Sequence, residues 1–155
     1  GNEIQLPQTG TGEPVTGNGY RLDWPESEDQ LHAEGVKDIS QLSPQQAENL
    51  AAARVGTIMQ GMSEWFDGSN IEPFRRKALI QYIYSSPWND ETNKPAFVTP
   101  ELVDAVYDSN WSKVSQLVAR ETRVFAIGLN PQQKRVRKNA IKHKRSIIAN
   151  QIRGI

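Results

Sequence analysis

Four prolines set most of what this chain can fold into. Pro44, Pro73, Pro100 and Pro131 each stand at the front of a stretch with helical spacing. Proline has a fixed φ and no N–H, so a helix accepts it at the first position and rejects it inside, at a cost of about 3 kcal/mol. Ser43-Pro44-Gln45-Gln46 and Asn130-Pro131-Gln132-Gln133 repeat one start signal. A capping side chain comes first, proline second, and glutamine at the capping-box position. Thr99-Pro100-Glu101 and Pro73-Phe74 mark two further starts.

Apolar residues behind each start recur on one helix face. After Ser43 they are Ala47, Leu50, Ala51, Val55, Ile58, Met59, Met62 and Trp65, and Gly68 ends the run. The helix from Pro73 carries Phe74, Ala78, Leu79, Tyr82 and Ile83, and Ser85-Ser86-Pro87 stops it. The Thr99 start leads to Leu102, Val103 and Val106. Ser112 is expected to cap a fourth helix with Val114, Leu117 and Val118. The last helix is expected to turn Val136, Ala140, Ile141, Ile147, Ile148 and Ile152 inward and its bases outward.

The front of the chain reads differently. Residues 1–22 hold Gly1, Gly10, Gly12, Gly17 and Gly19 with Pro7 and Pro14, which is turn chemistry. Loops or a short β-hairpin are expected there, then a brief helix from Pro25 to about Ala33, stopped by Gly35. The fold class expected is mainly α, in an α+β sense. A Gly-rich head over residues 1–42 precedes a helical lobe of about five helices over 43–155, all in one domain.

Composition removes several functions. With no cysteine in 155 residues, disulfides, zinc ribbons and thiol nucleophiles are out. No apolar run approaches the ~18 residues of a membrane span. His32 and His143 stand far apart, neither in a metal-ligand spacing. No phosphate loop, dinucleotide fingerprint or Gly-x-Ser-x-Gly elbow occurs.

Net charge is zero but segregated. Residues 1–72 carry 12 acids and three bases, hence −9; residues 73–155 carry six acids and 15 bases, hence +9. Lys134 to Arg153 contains eight bases and no acid. Such a split either neutralises itself within the fold or leaves a positive face for an anionic polymer. Carboxylates are the remaining candidate chemistry. Glycoside hydrolysis needs a protonated carboxylic acid at the leaving oxygen, and a second group to stabilise the sugar cation or activate water. Glu3 and Glu13 lie in the Gly-rich head, which is suited to form one wall of a cleft.

The order of segments resembles the phage-type lysozymes (muramidases). Thr16-Gly17-Asn18-Gly19-Tyr20 is similar to their Thr-x-Gly-x-Gly-His hairpin segment. Asp38 to Leu50 resembles the start of their long inter-lobe helix, and Arg75-Arg76-Lys77-Ala78-Leu79 their Arg-Arg-x-Ala-Leu helix. Thr99 to Trp111 resembles the next helix and turn, and the basic stretch after Asn130-Pro131 their C-terminal Arg/Lys-rich helices. Pesticin and the muramidase effectors of secretion systems share this architecture. The pattern also departs from the family's: Glu3-Ile4 stands where the family has Glu-Gly. No Asp lies between Glu3 and Thr16, and Tyr20 replaces the frequent His.

What the resemblance implies is a glycoside hydrolase cleaving the N-acetylmuramic acid to N-acetylglucosamine linkage of peptidoglycan. It would act at the bacterial wall or periplasm, as a phage enzyme or antibacterial effector, without cofactor or metal. The chain would be the C-terminal part of a larger protein, with a cognate immunity protein as a partner. Glu3 or Glu13 would be the general acid, with the other carboxylate and Thr16 holding water or stabilising the sugar cation. Glu26, Glu28 or a residue upstream are the alternatives for the acid. Tyr20 and Trp24 would stack on sugars or else fill the core, and Trp88 would edge the cleft. Arg75 and Arg76 also fit an ordinary ion-pair site. A second reading takes the basic last helix as a nucleic-acid-binding surface, which its lack of aromatic residues weakens. A third is a wall-binding module that does not cut.

Overall fold

The computed structural model describes residues 21–37, 42–125 and 128–154. Six helices and one small sheet are found there: α1 (Ser27–Ala33), α2 (Pro44–Trp65), α3 (Pro73–Tyr84), β1 (Trp88–Asn89), β2 (Lys94–Pro95), α4 (Pro100–Tyr107), α5 (Trp111–Arg120) and α6 (Pro131–Arg153). The described part is therefore mainly helical, as expected. The 1–20 portion of the Gly-rich head, where the hairpin was expected, lies outside the described residues.

All four prolines open helices. Both capping boxes close in both directions. The Gln46 N–H donates to Ser43 Oγ at 3.1 Å, and the Ser43 N–H donates to the Gln46 side-chain oxygen at 3.0 Å. Asn130 and Gln133 do the same at 2.8 and 3.0 Å. Thr99 Oγ1 accepts from the Leu102 N–H at 3.2 Å. These caps satisfy helix-end donors that would otherwise be left to water. Gly35 and Gly68 follow α1 and α2 with φ of +71° and +78°, a region in which a Cβ would be strained.

The core is built mainly by α3, α5 and the second half of α6, with α2 laid on α3 and α4 on α5. Leu79, Ile83, Val106, Val114, Val118 and Ile152 are fully enclosed. Two polar ties lock α6 in place: Ser115 Oγ donates to the Ala149 carbonyl at 3.0 Å, and Arg75 Nε donates to the Ile152 carbonyl at 2.8 Å. A second small cluster, Leu31, Val36 and Leu50 with Leu22 and Leu42, holds α1 and its flanks against α2.

Three expectations need correction. The cap of α5 is Asn110, whose Oδ1 accepts from the Lys113 N–H at 3.3 Å, so the helix begins before Ser112. Asn and Ser are comparable caps, and the earlier start lets Trp111 pack on the core. On α6, Val136 and Ile147 are 64% and 47% exposed, Ala140 is exposed too, and Arg145 is buried instead. The helix outruns the core, so Val136 and Ala140 stay exposed on its first half. Met59 on α2 and Phe74 on α3 likewise point outward, 53% and 45% exposed.

The sheet was not expected. Trp88 pairs with Pro95 and Asn89 with Lys94 in an antiparallel ladder inside the helical body. Asn93 turns the chain at φ +54°. The Ala96 N–H donates to the Pro87 carbonyl at 2.8 Å and the Phe97 N–H to Ser86 Oγ at 3.0 Å, extending the pairing toward the core.

Candidate functional site

Glu3, Glu13, Thr16 and Tyr20 lie outside the described residues. Glu26 and Glu28 are described and belong to the first turn of α1 and its cap; Glu28 faces His32 at 3.7 Å on the surface. Among the described residues no Asp or Glu is buried, and no cluster of His, Asp or Glu forms a metal cage.

Trp24 is 2% exposed. Its indole Nε1–H donates to the Ser86 carbonyl at 2.7 Å, joining the first described segment to the end of α3. Trp88 is half-buried and leans on Trp24, with centroids 5.1 Å apart and planes tilted by 56°. The other side of Trp24 is covered by Arg54, whose guanidinium carbon lies 4.2 Å from the ring centroid. Trp24 therefore fills the core, the second of its two expected roles.

Arg54 is itself 1% exposed, on α2. It donates to the Arg21 carbonyl and to Ser27 Oγ, the latter at 3.1 Å. Ser27 Oγ donates in turn to the Arg21 carbonyl at 2.8 Å. Arg54 thus fastens residues 21–27 onto α2. Sequence reasoning missed it, although Leu50, Arg54, Ile58 and Met62 stand four apart on one inward line.

Beside this joint lies a cavity of about 90 Å³. Its described lining includes five bases, Arg21, Arg123, Arg137, Lys144 and Arg145, and no acid; Ser85, Phe125 and Ile141 complete most of the wall. Arg21 forks onto Asp23 with two bonds of 2.9 Å. Arg123 forks onto Glu121 at 2.7 and 2.8 Å, and that bond holds the Arg123 guanidinium charged beyond its usual range. Bidentate forks of this kind fix the planes of both guanidinium groups.

Arg145 is 7% exposed. Its Nε donates to the Glu121 carbonyl at 3.2 Å. Its guanidinium sits over the stacked Tyr82 and Phe97 rings, 5.1 and 5.2 Å from their centroids. Burial lowers its pKa from the usual arginine value. The same enclosure raises the Tyr82 hydroxyl well above an ordinary tyrosine, burial first and the Glu121 charge second. The sequence signal for Arg145 was present: Ile141, Arg145, Ile148 and Ile152 share one helical line.

Ion pairs between described residues include Arg21–Asp23, His32–Glu28, Arg75–Glu72, Lys113–Glu101 and Arg123–Glu121, none of them more than 12 residues apart in sequence. Lys134, Arg135, Lys138, Lys142 and Lys144 are exposed along α6. An open hollow of about 420 Å³ runs along the first half of the same helix beside Val136, Arg137 and Ala140. Among the described residues no helix is long and apolar enough to cross a membrane. Comparison of the chain with family models, curated proteins and solved structures finds no match.

Proposed function

We propose that this chain is a lysozyme-like domain that cleaves the glycan strand of peptidoglycan. The observation carrying this reading is one of order. Each described stretch that resembles a muramidase segment falls on a helix of its own: the capped α2, the Arg75-Arg76 helix α3, α4, and the basic α6. Arg75 adds support, since it reaches across to the end of α6 and stands 4.8 Å over Trp111, a tie within the helical lobe.

In this reading the acid comes from the head. Glu3 or Glu13 protonates the glycosidic oxygen as the bond breaks, and the other carboxylate with Thr16 holds water or stabilises the positive charge on the sugar. No metal or cofactor enters. The exposed bases of α6 attract the anionic wall and speed encounter more than they tighten binding. Delivery to the wall or periplasm, and an immunity protein that blocks the site, would follow from the same activity.

The test is release of soluble muropeptides from purified peptidoglycan by wild type, Glu3→Gln and Glu13→Gln. Wild type is expected to cut, and the variant lacking the acid to lose roughly 10²- to 10⁴-fold in rate. A wild-type protein that cuts nothing rejects the reading. Sedimentation with the wall but no release would favour a binding module, which the lack of a buried carboxylate among the described residues also favours.

A further inference from the structure

The cavity below Arg21 has a chemistry the glycan reading does not use. Two of its five bases, Lys144 and Arg145, form no ion pair with a described residue. Arg145 is nevertheless almost fully enclosed. The carboxylate that acts on it, that of Glu121, is already forked onto Arg123, and a buried cation without a counter-charge of its own is costly. Here aromatic faces and one carbonyl stabilise it, and it also lines the cavity. Arg21 and Arg123 are held by their carboxylate forks, so both planes are fixed before anything binds. Pre-set donors lose little entropy on binding.

We infer that this cavity is an anion site for a phosphoryl group, a free phosphate or a phosphate monoester. Two cations, neither in an ion pair with a described residue, match a dianion better than a single carboxylate ligand. The Nη groups of Arg145, which lie outside its Nε bond to the Glu121 carbonyl, suit a tetrahedral oxyanion, which accepts several bonds at once. A volume of about 90 Å³ admits a group of that size and little more. Phe125, which carries Arg123 over its ring at 5.2 Å, offers an apolar wall for the body of an ester. The inference does not depend on glycan cleavage, and its readout is binding, so one can fail while the other stands.

The experiment is calorimetric titration of the full chain, at low chloride, with orthophosphate, phenyl phosphate and benzoate. Phosphate or its ester is expected to bind and benzoate to bind at least tenfold more weakly. Lys144→Gln, an exposed position, is expected to weaken phosphate about tenfold, one charge-assisted bond. Lys134→Gln makes the same charge change on the same helix outside the cavity and is expected to leave binding unchanged. Arg145→Lys, which keeps the charge and loses the fork, is expected to weaken it as well. Tighter phenyl phosphate assigns the site to an ester and tighter orthophosphate to the free ion. No binding at about 10 mM of either, benzoate binding equally well, or Lys134→Gln weakening as much as Lys144→Gln overturns the inference.

Discussion

Arg54 and Arg145 show how a base joins a core. Each stands on an otherwise apolar helical line, and each meets aromatic faces and a backbone carbonyl once inside. The spacing was readable, but a base on an apolar line also reads as a break in the pattern, and only packing decides. Trp24 was readable as either platform or filler; its indole bond to Ser86 comes from 62 residues away and has no local signal. The same enclosure around Arg145 governs alkaline stability. The Tyr82 pKa is raised in the folded protein, so the neutral phenol is favoured there. That contribution is full below the unfolded tyrosine value near 10 and is lost as pH rises above it. Urea unfolding at pH 8 and pH 11 should show about 1 kcal/mol more alkaline loss in wild type than in Tyr82→Phe. Equal losses would mean that the hydroxyl ionises as freely inside as out.

At the level of elements, the local signals served well where the cause is local. Caps and prolines act within four residues, so the starts of α2, α3, α4 and α6 were legible to the residue. The hairpin was not, because each strand is two residues long and carries no alternation. The expected inward face of α6 held at Ile148 and Ile152 and failed at Val136, Ala140 and Ile147, for a different reason. Periodicity describes a helix and says nothing of where its neighbours end. Within α2, Gly61 reveals a constraint of its own. A Cβ there would fall under 3.0 Å from the Trp65 indole, which is 7% exposed one turn on. Alanine normally gains about 1 kcal/mol over glycine in a helix. Gly61→Ala is expected to lose instead, by about 1–2 kcal/mol net in chemical denaturation, because overpacking outweighs that gain. Gly56, which meets nothing within 4 Å, is the matched control and should gain.

For the molecule as a whole, the helical lobe was largely visible in the sequence and the candidate site was not. Glu3, Glu13 and Thr16 rest on a resemblance, whereas the cationic cavity is assembled from α6, the segment before it and the segment at Arg21, which only the fold brings together. The two halves of α6 should differ sharply in what they contribute. Ile152→Ala is expected to cost about 2–5 kcal/mol in urea unfolding, and Val136→Ala to stay within about 0.5 kcal/mol. A large effect at Val136 would show that the first half of α6 is covered after all. The position of Ile152 also sets a clock on biosynthesis. Its side chain closes the core, and its carbonyl is gripped by Arg75, made 77 residues earlier. On the ribosome, then, α3 can meet α2, but the part of its apolar face that α6 covers waits open until the last turn of α6 has cleared the exit tunnel. Through that interval the half-made chain depends on chaperones, or on speed, to avoid sticking to its neighbours.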